Sequence, residues 1–406
     1  MKSSRRIPIA GRAATLCACL ATAPVFCQQE APNPATTVDL KPLGAAPDLF
    51  TDQSDSRYRQ RGVLNLFWLG DDRIAVAFST NRLWSGNDKP EPLHVRLLLF
   101  DPFGRELNER DWSFAADGPD GDTTLALAPG PDRSILAIHQ AAGDGKIPEG
   151  DFVQVLNPDA SLRQDFYVPA TSAPVTGNPS YPGLILQTFY ADKHTSLAWW
   201  SGHPLKPGAQ LAIPSGSEAT IAGPEVAARA VCPTDSLLSA LLSPPQCSGV
   251  RVFRADAPPW TYTTPSPELA PLPRVFLNSD SLLIELRSAN DSGDQTAVHK
   301  DWLVAHPDGS HTQLPALPKG LQILEITGVS VDARRFSMNA GAIVGVCGVI
   351  NLWCKQRATA LVVDIPANRI LFQREISTTG GTSALSPDGR RIAIFDRDKL
   401  SVYPLP

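Results

Sequence analysis

The sequence has little of what builds helical folds and little of what marks common active sites. Only two methionines occur in 406 residues, and no long segment repeats its apolar residues with helical periodicity. That excludes a helical bundle. No G-x-S-x-G elbow is present; Gly381-Thr382-Ser383-Ala384-Leu385 comes nearest and fails at its last position. An H-E-x-x-H pair, a phosphate-binding loop and a G-x-G-x-x-G turn are also missing. Seven histidines are scattered, and the closest three (His299, His306 and His311) fall at a strand start, a turn and just past that turn. They read as turn residues rather than as a metal set. Asp117, Asp120 and Asp122 form a compact acidic loop, but no glutamate follows at the distance a calcium loop needs. No metal or other cofactor is therefore expected. Acidic residues (41) outnumber Lys and Arg (36), and no basic cluster occurs, which argues against nucleic acid as a partner.

The N-terminus reads as an export signal. Lys2, Arg5, Arg6 and Arg12 precede an apolar stretch from Ala13 to Phe26 that is too short for a stable membrane span. Val25-Phe26-Cys27 offers a cleavage site, so residues 1–27 are read as a signal peptide and 28–47, rich in Pro, Ala and Thr, as a flexible lead-in. Cys17 or Cys19 as a lipid-bearing residue is the alternative. No other segment is long and apolar enough to span. Removing residues 1–27 takes away four basic and no acidic residues, leaving 32 basic against 41 acidic, a net charge of −9. The expected destination is the periplasm or the medium.

Cysteine usage fits an oxidising compartment. Beyond the signal, four cysteines remain in two local pairs, Cys232 with Cys247 and Cys347 with Cys354, and are read as two disulfides. No C-x-x-C spacing supports a zinc site instead.

What is abundant is turn chemistry. Proline alone (38) exceeds Lys and Arg together (36), and it falls between short apolar runs. A strand–turn–strand phrase recurs seven times, centred on Asp72, Asp132, Asp192, Asp235, Asp280, Asp332 and Asp388, at steps of 60, 60, 43, 45, 52 and 56 residues. A period of this size means one supersecondary unit repeated. Each unit reads as four strands. A second turn follows the third strand, as in Asp101-Pro-Phe-Gly, Asn157-Pro-Asp-Ala and His306-Pro-Asp-Gly. The expected fold is all-β, a β-propeller of seven four-stranded blades spanning 48–406 as a single domain. Only 18 residues follow Asp388, so the last unit lacks a strand. A strand from 37–50 is expected to supply it and close the ring. The third unit is the least regular.

The last and clearest copy, L-S-P-D-G-R-R-I-A-I-F at 385–395, resembles the repeat of TolB-type and WD-like β-propellers. The Trp-Asp pair of the WD type is absent. The resemblance implies a scaffold only, because this motif shapes a turn and carries no ligand chemistry.

Function is expected away from the aspartate turns. Longer insertions (81–93, 141–150, 288–299 and 341–357) join the second and third strands and emerge on the opposite face. They carry Trp84, Asn87, Asp88, Lys89, Lys146, Glu149, Asn290, Asp291, Asp294, Trp353, Lys355 and Arg357, read as a face for a protein, peptide or glycan. The chain is expected to be a monomeric, non-catalytic binder. The alternative is a lyase or hydrolase of sugars or lactones, with its site on the ring axis. An enzyme predicts acidic, His or Arg side chains from several blades converging there; a binder predicts an apolar or water-lined channel.

Overall fold

The computed structural model describes residues 32–45, 64–81, 92–114, 125–141, 150–175, 179, 181–190, 194–214, 220–232, 247–288, 299–318, 320–344, 355–378 and 380–406. They form twenty-eight strands in seven antiparallel four-stranded sheets. Strand β1 (Thr36–Asp39) comes first. Blade 1 holds β2 to β5 (Leu64–Trp68, Ile74–Ser79, Leu93–Phe100, Glu106–Phe114). Blade 2 holds β6 to β9 (Leu125–Pro129, Ile135–Ala141, Gly150–Leu156, Leu162–Pro169). Blade 3 holds β10 to β13 (Ser172–Val175, Leu184–Phe189, Thr195–Ser201, Lys206–Ile213). Blade 4 holds β14 to β17 (Thr220–Gly223, Val226–Val231, Gly249–Arg254, Trp260–Thr263). Blade 5 holds β18 to β21 (Leu269–Asn278, Ser281–Ser288, His299–Ala305, His311–Gln313). Blade 6 holds β22 to β25 (Gln322–Val329, Arg335–Val344, Lys355–Asp364, Arg369–Ile376). Blade 7 holds β26 to β28 (Gly381–Leu385, Arg391–Asp396, Lys399–Pro404).

The fold is a seven-bladed β-propeller. The missing strand of blade 7 comes from the other terminus: β1 pairs antiparallel with β28, from Thr36 opposite Val402 to Asp39 opposite Lys399. The ring thus begins at residue 36, inside the stretch read from sequence as a lead-in. Leu40, just after β1, is fully buried among Trp68, Phe78, Phe395 and Leu400.

Burial explains the sequence pattern. The second strand of a blade has strands on both edges and another blade on each face. Ile74–Ser79 is accordingly buried at every position rather than at alternate ones. Outer strands such as β5 alternate between exposed and half-buried residues. The core is not one mass but a series of apolar seams between neighbouring blades, for example Phe67, Leu97 and Leu99 of blade 1 against Leu127 and Ile135 of blade 2.

Five of the seven aspartates (Asp72, Asp132, Asp280, Asp332 and Asp388) stand between a blade's first and second strands, as expected. Two do not. The segment carrying Asp192 joins β11 to β12, and the one carrying Asp235 joins β15 to β16. Both segments are second-to-third connections, and the two aspartates themselves lie outside the described residues. In blade 4 the first turn is only Pro224-Glu225, with Glu225 in the left-handed region at φ 54°. This shift of reading is why the third unit looked irregular: Thr195–Ser201 is its third strand, not its second. The Cys232–Cys247 disulfide staples the base of the β15–β16 connection. Cys347 and Cys354 lie outside the described residues.

Candidate functional site

The aspartate turns are built the same way in blades 6 and 7. In each, a buried serine donates its hydroxyl to the aspartate two residues on, Ser330 to Asp332 and Ser386 to Asp388, both at 2.6 Å. The same hydroxyl accepts the backbone N–H five residues on, at 2.9 Å from Arg335 and Arg391. Gly389 closes the blade 7 turn at φ 69°, a conformation that costs glycine nothing.

The basic residue that follows each turn does structural work beyond its own blade. Arg73, Arg335 and Arg391 occupy equivalent places, each accepting a backbone N–H from the residue that opens its turn. Each guanidinium donates to a backbone carbonyl of the next blade: Arg73 to Pro158, Arg335 to Gly389 at 2.9 Å, and Arg391 to Asp71 at 3.2 Å. Arg335 also donates to the carbonyl of Pro406, at 2.7 Å. The motif's arginine is therefore a blade-to-blade strap, and that accounts for its recurrence without any ligand. Arg133 pairs instead with Asp72 of the preceding blade; Gly70 leaves room for its guanidinium where a Cβ would collide.

On the axis, at the end formed by the first turns, lies a cavity of 650 Å³. Every blade contributes to its wall. Blades 1 and 2 give Leu64, Leu66 and Ala128, and blades 3 and 4 give Pro179, Pro182 and Pro224. Blade 5 gives Leu277 and Asn278, blade 6 gives Glu325 to Val331, and blade 7 gives Thr382 to Leu385. Polar residues come from blades 1, 2 and 5 (Asn65, Asp132, Arg133 and Asn278) and, as a connected hydroxyl network, from blades 6 and 7. There Thr327 bridges Ser337 (2.9 Å) and Ser383 (3.0 Å), and Ser383 donates to the side-chain oxygen of Asn339 at 2.8 Å.

Glu325 stands in this wall on the innermost strand β22. It is open to the cavity yet flanked by protein on the other sides, and loss of solvent pushes its carboxyl above the ordinary value. No hydrogen bond or ion pair holds it among the described residues. Two register shifts bracket it, between Ile323 and Glu325 and between Ile326 and Gly328. Bulges of this kind re-aim side chains. Among the innermost strands only β18 and β22 shift register. The other ionisable groups at the cavity, Asp132 and Arg133, are neighbours on one turn at the rim.

Most of the residues chosen from sequence are not placed. Trp84, Asn87, Asp88, Lys89, Lys146, Glu149, Asn290, Asp291, Asp294 and Trp353 lie outside the described residues. Lys355 and Arg357 fall on β24, and Arg357 is exposed with its Nε 3.9 Å from Glu375. The cavity residues were not picked out, although a signal existed. Glu325 stands five residues before the residue that opens its turn, where blades 1, 2 and 7 have Leu64, Leu125 and Gly381. Comparing the repeats column by column exposes the odd carboxylate.

No family model matches the chain, and neither does any curated protein sequence. Solved structures do resemble it. The β-propeller domain of the Trilobed protease from Pyrococcus furiosus is 8% identical, over 84% of this chain and 95% of that one, with a TM-score of 0.50. Hydrazine synthase of Kuenenia stuttgartiensis is 9% identical over 87% and 97%, with a TM-score of 0.46. The C-terminal WD40 domain of Sif2 is 10% identical over 85% and 97%, with a TM-score of 0.38. At such identity the likeness concerns fold alone. The Pyrococcus propeller is described as having an open velcro topology. Here β1 closes the last blade from the opposite terminus.

Proposed function

We propose that this chain is an exported, monomeric, non-catalytic β-propeller whose ligand enters the axial cavity. The observation that carries this reading is the cavity's make-up. It is large enough for a drug-sized molecule or a few residues of an extended chain, and its wall is mostly apolar with a few convergent polar groups. Among its described lining residues there is no histidine or cysteine, and one carboxylate stands on an inner strand. A hydrolase or lyase needs an acid and a base within reach of one bond, and Glu325 has no such companion on the described inner strands. Export rests on the basic and apolar N-terminus and on the Cys232–Cys247 disulfide, which suits an oxidising compartment.

The test compares two substitutions in thermal-shift screens against short peptides, oligosaccharides and alkylamines. Val331 lines the cavity and is 84% exposed, so Val331→Trp narrows the mouth without disturbing the core. Ligand-induced stabilisation should vanish in Val331→Trp and persist in Arg357→Ala. The reverse pattern would move the binding site to the long-loop face. Mass spectrometry of the N-terminus after cell fractionation checks export: an intact Met1 in the cytoplasmic fraction would overturn it.

A further inference from the structure

Within that binding reading, on which this inference rests, we propose that the axial cavity is a seat for an organic cation: an alkylammonium group placed against Glu325, with its carbon chain lying on Leu64, Leu66 and Ala128. Three features of the wall support this choice over a neutral or anionic ligand.

The first is charge. Glu325 and Asp132 are the carboxylates of the lining, and the single guanidinium there, that of Arg133, is already paired with Asp72. Among the described lining residues the balance is thus net negative, with no unpaired cation to receive an anion. A carboxylate that is exposed to a cavity, crowded by protein on its other sides and without a partner among the described residues gains from a ligand that brings the opposite charge.

The second is the supply of hydrogen-bond groups. Five prolines, Pro129, Pro179, Pro182, Pro224 and Pro387, line the cavity. Proline has a carbonyl but no N–H. At these positions the backbone has no donor to give an anion, which disfavours phosphate, sulfate and carboxylate ligands; the Pro387 carbonyl already accepts the Val331 N–H at 2.8 Å. Thr327 and Thr382 place side-chain oxygens on the same side as Glu325, and oxygens of this kind accept the remaining N–H bonds of an ammonium.

The third is the division of the wall. Glu325 and the threonine hydroxyls lie on blades 6 and 7, while the inner strands of blades 1 and 2 present Leu64, Leu66, Leu127 and Ala128 beside Asn65, whose Oδ1 accepts the Leu127 N–H at 3.2 Å; Asp132 and Arg133 stand only on the turn of blade 2. A ligand with one charged end and one apolar body matches that division; a uniformly polar sugar does not.

The experiment is calorimetric titration of the full mature chain with three probes of equal length, n-hexylamine as its ammonium ion, hexan-1-ol and hexanoate, at pH 7. The ammonium should bind at least tenfold more tightly than the alcohol, and hexanoate should not bind. Glu325→Gln should remove that preference and leave the alcohol's affinity unchanged, with its melting profile confirming that the variant is folded. If the alcohol or hexanoate binds as tightly as the ammonium, or if Glu325→Gln leaves the preference intact, the cation seat is wrong although the cavity still binds. If none of the probes binds at millimolar concentration, the cation seat is overturned, while the axial binding reading stands or falls on the Val331→Trp comparison. Where hexylamine binds, a lysine-terminated and a norleucine-terminated tripeptide separate a peptide's lysine side chain from a free alkylamine as the source of the ammonium. A lysine peptide that binds more tightly than both hexylamine and the norleucine peptide assigns the seat to a peptide, and one that binds more weakly than hexylamine assigns it to a free amine.

Discussion

The indole Nε1 of Trp68 donates to the backbone carbonyl of Ala384 at 3.0 Å, joining the innermost strands of the first and last blades across 316 residues of chain. Trp68 is buried, and the bond lies where the ring must close. Trp68→Phe keeps most of the packing and loses the bond. A cost of about 1 kcal/mol is expected, the usual net worth of one such bond. Urea unfolding monitored by circular dichroism would measure it; an unchanged midpoint would show that closure does not depend on this contact.

The outer closure involves Leu40, which is fully buried beside Phe395 and Leu400. Leu40→Ala should destabilise the ring by about 2–5 kcal/mol, as deletion of a buried leucine usually does. Truncation through residue 40 should do worse, because it bares the hydrogen-bonding edge of β28. Light scattering during expression of the truncated chain should report aggregation, and a monodisperse product would argue against the strand's role.

The arginine straps make a graded prediction. Arg335 donates to two carbonyls of blade 7, whereas Arg391 donates to one of blade 1. At about 0.5–1.5 kcal/mol per bond, Arg335→Gln should cost more than Arg391→Gln. The exposed neighbour Arg334 has no such strap, and Arg334→Gln should stay within about 0.5 kcal/mol of the parent. Equal effects of all three substitutions in chemical denaturation would remove the strap interpretation.

Glu285 is 1% exposed and sits between Arg274 and Arg287. Arg274 also donates to the Ile323 carbonyl of blade 6, at 3.1 Å, so the pair bridges two blades. Burial lowers the Arg274 guanidinium from its usual value while Glu285 holds it charged. Removing Arg274 takes away the nearer of two guanidinium partners and leaves the buried Glu285 with Arg287 at 3.3 Å. Arg274→Leu should therefore cost about 3–5 kcal/mol, and the double substitution Arg274→Leu/Glu285→Leu should recover part of that loss. A double-mutant cycle with no coupling would contradict the pairing.

Glu325 sets a pH dependence of defined sign. Its carboxyl is raised in the folded chain by partial desolvation from the surrounding protein, although the side chain remains open to the cavity. The folded state therefore binds the proton more tightly than the unfolded state does. Stability from this group is full below the unfolded glutamate value of about 4.3 and is lost as pH rises through the folded value. Glu325→Gln should raise the melting temperature at pH 7 and leave it unchanged near pH 3.5. A gain that is independent of pH would show that the carboxylate is not the cause.

Much of the architecture was legible along the chain, because a propeller repeats one short unit and each copy writes its own turns. Asp280, Asp332 and Asp388 marked first turns correctly, and Thr37 was correctly placed in a closing strand. Asp192 and Asp235 misled, because turn-forming sequence looks the same whichever two strands it joins. Only strand pairing tells the two faces apart: β11 with β12, and β15 with β16.

The candidate site was legible in one respect only. Glu325 is an outlier among the repeats, but its isolation and its place in a cavity wall were not readable from the sequence. Neither was the use of the motif's arginines as straps, since their acceptors are backbone carbonyls, which every residue has.

By itself, the sequence determined the all-β class, the seven units and the need for an outside strand, since these follow from local turn chemistry and from counting residues after Asp388. Tertiary structure decided which turns share a face, which side chains cross between blades and what lines the axis. Those outcomes depend on seven separate segments meeting around one centre, and residues as far apart as Trp68 and Ala384, 316 positions, meet there because the ring closes, not because any local pattern brings them together.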